Sequence, residues 1–243
     1  MKVMILAAGE GRRLLPLTRT LPKALVPVAG QPMVKRLIDR LVNMGFDHFV
    51  VNLHHHADQL QQYLLENTPD HIMLTFSDER EMLLDTGGAI KHARQNFSPG
   101  EPFLVHNVDV YTTLLPATLL NCHEQSKAMA TLAVQHRQSS RHLLFNEQMQ
   151  LCGWRNNATG EERMVNPGAK GLTPLAFSGV HIADPKIFSY FPQQDRFSLI
   201  DLFLAAAADG AIVKALPHNN DPWFDLGTPE KITAFEQNEQ WKR

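Results

Sequence analysis

Apolar and polar residues follow two different rhythms along the chain. Residues 2–8 form an almost unbroken apolar run, which predicts a strand buried on both faces. Residues 9–31 are rich in Gly, Pro, Arg and Thr and show no periodicity. They predict a long loop, and long loops inside compact domains usually carry function. Pro32 suits a first helical turn. Met33, Val34, Leu37, Ile38, Leu41 and Val42 then make one apolar helical stripe, which Gly45 is placed to end. The pattern next predicts a strand at 48–53, a helix at 57–66 and a strand at 72–76. A polar, Gly-ended loop at 77–88, a helix near 89–97 and an apolar strand at 102–108 follow, the last stopping at Asp109.

Alternating strands and helices imply βαβ units. The expected fold class is α/β, a doubly wound, mostly parallel mixed sheet. After residue 125 the rhythm changes. Strands are predicted at 128–136, 142–145, 150–154 and 174–182, with a polar Gly- and Pro-bearing insertion at 155–173. A helix near 199–209, a strand at 211–216, a Trp-bearing turn at 222–228 and a final helix complete the chain. No internal repeat interrupts it, and one domain spanning 1–243 is expected.

Composition narrows the partners. The 243 residues are 44% apolar and 20% charged, as in ordinary globular proteins, so a sizeable core needs no metal or disulfide staple. A net charge of -2 gives no support for a nucleic-acid or anionic-membrane partner. The two cysteines, Cys122 and Cys152, read as reduced core residues. The opening apolar run is too short for a signal peptide, and no stretch approaches the roughly 20 apolar residues of a membrane span. A cytoplasmic protein is expected.

Basic charge is instead concentrated in the first loop. Gly9 and Gly11 let the backbone bend and turn its N–H groups toward a phosphate, and Arg12, Arg13, Arg19 and Lys23 follow closely, stiffened by Pro16 and Pro22. The loop lies where parallel sheets bind ligands, at the carboxyl end of a strand. A dinucleotide-binding turn would need a third glycine where Leu14 stands and an acidic residue ending the second strand, which reads Val51-Asn52-Leu53. A Walker P-loop is absent. A merely structural basic loop remains open from these residues alone.

Three segments carry a resemblance. Leu6-Ala7-Ala8-Gly9-Glu10-Gly11-Arg12-Arg13-Leu14-Leu15-Pro16-Leu17-Thr18, followed by Pro22-Lys23-Ala24-Leu25-Val26-Pro27-Val28, resembles the opening of the sugar-1-phosphate nucleotidyltransferases. Leu84-Asp85-Thr86-Gly87-Gly88-Ala89 resembles that family's second nucleotide loop. Trp223-Phe224-Asp225-Leu226-Gly227-Thr228-Pro229 resembles its C-terminal metal-binding turn. The likeness covers nearly the whole chain and is greatest to short bacterial enzymes of the N-acetylmuramate 1-phosphate uridylyltransferase type.

The resemblance implies a Rossmann-like nucleotidyltransferase fold with a nucleotide-binding half, 1–125, and a sugar-binding half, 126–243. It implies that a nucleoside triphosphate, first UTP, and a sugar 1-phosphate are joined with release of pyrophosphate. Arg13 and Lys23 match catalytic positions. Ala8, Gly9, Gly11, Arg12, Asn52, Asp78, Gly87 and Gly88 are expected at the nucleotide. Gly153, Asn157, Glu161, Ser178 and Gly179 are expected at the sugar. Asp109 and Asp225 match the family's Mg²⁺ ligands, although Val108 stands where the family commonly has Gly. Two carboxylates plus substrate phosphates suit that ion.

Two other readings stay in view: a guanylyltransferase acting on a heptose or mannose 1-phosphate, and a non-catalytic nucleotide-sugar sensor on the same fold. The sensor would be expected to lose Arg13, Lys23 or an aspartate, and all are present. His54-His55-His56 reads as a polar strand-to-helix connection, because adjacent side chains diverge. The sequence leaves the oligomeric state open. Arg13→Ala is expected to abolish turnover while leaving the protein folded. Pyrophosphate release and circular dichroism check this, and unchanged turnover would remove the role given to Arg13.

Overall fold

The computed structural model describes residues 1–165 and 167–238. In chain order, β1 (Val3–Leu6) leads into the long loop. The loop is not featureless. Short 3-10 turns at Arg12–Leu14, Leu17–Arg19 and Lys23–Leu25 fold it back, and a small hairpin, β2 (Pro27–Val28) and β3 (Gln31–Pro32), closes it. Then come α1 (Met33–Val42), β4 (His48–Leu53), α2 (Ala57–Asn67), β5 (Met73–Asp78), α3 (Asp85–Ala93), β6 (Phe103–Asn107), β7 (Val110–Thr112) and α4 (Pro116–Ser126). The second half holds β8 (Ala130–Gln135), β9 (Arg141–Phe145), β10 (Leu151–Asn156), β11 (Glu162–Met164), β12 (Thr173–Ala183), α5 (Leu199–Ala208), β13 (Val213–Pro217), β14 (Trp223–Asp225) and α6 (Pro229–Gln237).

Ten strands form one mixed sheet, in the order β11-β10-β9-β12-β6-β1-β4-β5, with β8 and β13 branching from β12. The β6-β1-β4-β5 block is parallel, and β12 joins it antiparallel beside β6. The alternation of side chains along β1 explains the two layers. Val3 and Ile5 enter the core packed against α1 and α2 through Leu37, Ile38, Leu41, Leu60 and Leu64. Met4, between them, enters the opposite core with Ala89, Ile90 and Ala93 of α3 and Leu202 and Phe203 of α5. The sheet is therefore covered on both faces, as its apolar strands require.

The predicted strands and helices of the first half are all present, with one shift that matters. The helix expected near 89–97 begins at Asp85, so Gly87 and Gly88 lie inside its first turns rather than in the loop before it. The pattern did not anticipate α4 or β7, and the polar insertion at 155–173 contributes β11; Asn166 within it lies outside the described residues. Cys122 and Cys152 are free thiols. Among the described residues no helix is long and apolar enough to cross a membrane.

Two histidines are buried in the sheet with little polar company. Burial pushes His106 on β6 down to about 4. Burial, with the nearby charge of His123, pushes His181 on β12 down to about 3. His181 is packed against the rings of Phe177 and Phe203. The ordinary value is 6.5, so the unfolded chain binds these protons first. Their contribution to stability is complete above about pH 6.5 and is lost as pH falls toward 4 and 3. Thermal melts are expected to drop by several degrees between pH 7 and pH 5. A His181→Gln variant should show a shallower pH slope; an unchanged slope would count against the histidine as its source.

Candidate active site

The parallel strands β1, β4, β5 and β6 all end on one side of the sheet, and a cleft of about 400 Å³ opens there. Its wall includes Ala8, Gly9 and Lys23 from the first loop and Asn52 from the end of β4. Asp85 and Thr86 open α3 on the far side, and Asn107 and Asp109 follow β6. Sequence-distant residues meet because neighbouring parallel strands stop together, Leu6 pairing in register with Asn107.

Asn52 shows how the opening of the first loop is shaped. It is 3% exposed, its Oδ1 accepts from the amides of Ala7 (2.6 Å) and Ala8 (3.2 Å), and its Nδ2 donates to Glu79 (2.9 Å). These bonds fix the turn from which Gly9 to Arg13 leave the sheet. Gly11 sits at φ +66, a backbone region that favours glycine, and a Cβ there would meet Thr18 Cγ2 at 2.7 Å. Thr18, buried, donates its hydroxyl proton to the Gly11 carbonyl at 2.9 Å and closes the loop on itself.

The charged centre lies at Gly227. A Cβ on this glycine would meet Arg13 Nη2 at 2.7 Å, Asp225 Oδ1 at 2.8 Å and Asp109 Oδ2 at 3.2 Å. One guanidinium and two carboxylates, far apart in sequence, therefore surround a single position where a side chain would have to push them aside. Lys23 is paired with Asp109 and Lys231 with Asp225. The two aspartate loops are also bonded directly, Leu226 N to Asp109 O at 2.8 Å. Burial by itself would raise the Asp225 carboxyl. The Lys231 hydrogen bond, the Gly227 amide at 2.8 Å and the charges of Lys231 and Arg13 outweigh it and hold the group below its usual range.

A buried buttress holds the Asp225 strand. The Trp223 indole donates to the Ser178 carbonyl at 2.9 Å, and Arg137 stacks 3.8 Å over the same ring. Arg137 also donates to the Phe177 carbonyl at 2.8 Å. Ser178 Oγ meets His218 Nε2 at 2.8 Å, and Gln135 Nε2 donates to the carbonyls of His218 (3.1 Å) and Asp221 (2.9 Å). β8 and β12 thus fix the turn that presents the second carboxylate.

The two carboxylates form a hard-oxygen donor pair. Among the described residues no group of three or more His, Cys, Asp or Glu side chains could hold a metal ion. A two-carboxylate set fits Mg²⁺, which keeps several waters and takes phosphate oxygens as its other ligands.

The structure brings Arg13, Lys23, Asp109 and Asp225 together and sets Ala8, Gly9 and Asn52 around the adjoining cleft. Other expected site residues have different surroundings. Arg12 is paired with Glu10 and its side chain is 82% exposed. Asp78 is exposed and paired with Arg80 at 3.0 Å, and the buried Glu79 lines the cleft. The amides of Gly87 and Gly88 donate to the Phe197 carbonyl at 3.0 and 3.2 Å, and a Cβ on Gly88 would lie 2.1 Å from Asp195 O. These glycines admit the chain's own 195–197 segment, and their neighbours Thr86 and Ala89 line the cleft.

The second-half candidates divide similarly. Gly153 lies where β11 crosses β10, with Met164 Sδ 2.8 Å from a Cβ. Asn157 is bonded to Ser139 O (2.8 Å) and His142 Nδ1 (2.6 Å), and Glu161 is in the exposed β10–β11 turn. Ser178 is 0% exposed and belongs to the buttress. Gly179, at φ +75 in a register shift of β12, touches Asn107 of the cleft wall. None of the five is itself part of the cleft wall. Gly227, Lys231, Glu79, Asn107 and Arg196 were missed as site residues. Gly227 stood inside a quoted motif and Asn107 in the strand predicted at 102–108, and the other three carried no sequence signal.

A model of the nucleotidyl transferase family matches residues 2–143. The chain belongs to that family. It is 32% identical to the N-acetylmuramate alpha-1-phosphate uridylyltransferase of Caulobacter vibrioides over 96% of this chain and 94% of the relative. The enzyme of the same name from Neisseria meningitidis serogroup B is 33% identical over 77% of each chain. The solved UDP-glucose pyrophosphorylase of Acinetobacter baumannii shares the fold, with a TM-score of 0.79 at 17% identity over 100% of this chain and 94% of that one.

Gly227→Ala is expected to lower kcat by about 100-fold or more, because its methyl displaces Arg13 and both carboxylates. The melting temperature should move little, since the glycine's backbone is not left-handed. Turnover within about threefold of wild type would show that the convergence at Gly227 is not needed.

Proposed function

We propose that the protein joins a nucleoside triphosphate, UTP first, to a sugar 1-phosphate, giving a nucleotide-sugar and pyrophosphate. The convergence of Arg13, Asp109 and Asp225 on Gly227, with Lys23 on Asp109, carries this reading. Similarity to the uridylyltransferases of Caulobacter and Neisseria supports UTP and N-acetylmuramate 1-phosphate as the pair. All four charged groups that a non-catalytic sensor would be free to lose are present.

In the reaction, an oxygen of the sugar 1-phosphate forms a bond to the α-phosphorus. The bond from that phosphorus to its bridging oxygen breaks, and pyrophosphate departs with the electron pair. The nucleophile is already an anion near neutral pH, so no side chain must remove its proton. The protein's task is to bring polyanions together and to stabilise charge on the transferring group. Ala8 and Gly9 present backbone along the cleft for the nucleotide phosphates. The guanidinium fork of Arg13 suits two phosphate oxygens at once, and Lys23 is a point charge beside Asp109. Asp109 and Asp225 would hold Mg²⁺, which supplies Lewis-acid neutralisation of phosphate charge. The first half of the chain serves the nucleotide and the second half the sugar, in a cytoplasmic setting where triphosphates are supplied.

The test is to incubate the protein with each of UTP, GTP, dTTP and CTP and a panel of sugar 1-phosphates, and to measure pyrophosphate. Release with UTP and N-acetylmuramate 1-phosphate is expected. Release only with GTP and a heptose or mannose 1-phosphate would replace the base and sugar assigned. No release with any pair, together with a bound nucleotide-sugar, would favour a sensor. Asp225→Asn is expected to need about tenfold or more Mg²⁺ for half-maximal rate. A wild-type metal titration in that variant would refute the ligand assignment.

A further inference from the structure

The two aspartates of the charged centre are engaged to different degrees. Asp109 gives one carboxylate oxygen, Oδ2, to Lys23, and its Oδ1 has no hydrogen-bond partner among the described residues. Both oxygens of Asp225 are taken. Oδ1 accepts from the Gly227 amide at 2.8 Å, and Oδ2 accepts from Lys231. Lys23 has a second task, because it lines the cleft, whereas Lys231 lies outside the cleft wall. Asp225 is the only partner of the Lys231 ammonium among the described residues.

The helix that carries Lys231 does not call for a cation there. Thr228 caps α6 and accepts from the Lys231 amide at 3.4 Å, and Pro229, Glu230 and Lys231 make the first turn. The positive end of the helix dipole lies at that turn and favours acids such as Glu230 over an ammonium. Asp225, six residues earlier on β14, explains the lysine, since its carboxylate takes the charge that the helix end disfavours.

The centre then holds an excess of positive charge. Arg13, Lys23 and Lys231 face only two carboxylates, Asp109 and Asp225. A divalent cation drawn to Asp225 meets an ammonium already seated on Oδ2 and must displace it against like charge. The Lys231 side chain is 48% exposed on a flexible four-carbon stem, so it can leave the carboxylate without disturbing the core.

We propose that Lys231 is a counter-ion that competes with the divalent cation for Asp225 and so holds down the substrate-free protein's affinity for that cation. The inference rests on Asp225 as a metal ligand under the nucleotidyl-transfer reading above. Removing a residue that merely shaped the site would weaken cation binding, whereas removing Lys231 is expected to strengthen it.

Binding of Mn²⁺, which shares the oxygen preference of Mg²⁺, is measured on the full chain without nucleotide by loss of the free-ion signal in electron paramagnetic resonance. Wild type is compared with Lys231→Met, Lys231→Arg and the double variant Lys231→Met with Asp225→Asn. Lys186→Met, which removes an exposed charge elsewhere, is the control. Lys231→Met is expected to bind Mn²⁺ about 10-fold more tightly than wild type, Lys231→Arg and Lys186→Met within about threefold of it, and the double variant no more tightly than wild type. Mn²⁺ should also raise the melting temperature of Lys231→Met more than that of wild type. Lys231→Gln takes the place of the Met variant if that one does not fold.

Unchanged or weaker Mn²⁺ binding on loss of Lys231 overturns the proposal. So does a gain that persists without Asp225 or that Lys186→Met reproduces. Tighter binding in a protein that releases no pyrophosphate with any substrate pair would uphold the role of Lys231 and remove the nucleotidyl-transfer reading. If none of these proteins binds Mn²⁺, the metal assignment and this inference fall together.

Discussion

Everything at this site depends on holding opposite charges close together at the ends of four parallel strands. Arg13, Lys23 and Lys231 surround Asp109 and Asp225, and each carboxylate has its own lysine. Brought together without partners, two carboxylates would repel and one would take up a proton. The neighbouring cations reverse this at Asp225, where they outweigh the effect of burial. The arrangement thus favours the ionised form of Asp225, the state a divalent cation requires.

The rest of the chain makes that arrangement rigid. β1 and β6 pair in register, so the first loop and Asp109 leave the sheet side by side. Asp225 comes from the far end of the chain and reaches the same place because β14 pairs with β7, just past Asp109. Behind it, Trp223 is held between the Ser178 carbonyl and the Arg137 guanidinium. The Ser178–His218 pair sits in the interior as part of this support. A polar cluster that resembles catalytic machinery by residue type is here a brace, since Ser178 is wholly buried.

Much of the site was legible because its parts occur as continuous motifs. The first loop announces itself by two glycines and closely spaced basic residues after an apolar strand, and the Trp223 to Pro229 turn by its own pattern. The base-side and sugar-side residues were less legible. Gly87 and Gly88 read as openings for a ligand, yet they make room for the 195–197 segment. A glycine in a sequence says that something comes close and does not say what. Asp78 ends β5 and Glu79 follows it; Glu79 is the buried one, held by Asn52, and it lines the cleft.

By itself, the sequence determined the alternation of strand and helix, the two-faced burial of the central strands and the long Gly- and Arg-bearing loop after the first strand. Each follows from local periodicity or from a run of neighbouring residues. The tertiary structure alone decided which distant residues share the site. Arg13, Asp109 and Asp225 crowd one point at Gly227. Lys231 became the partner of Asp225, and Arg196 was left unpaired in the cleft. Those relations are set by strand order, register and the path of the chain between elements. Local composition does not encode them one residue at a time.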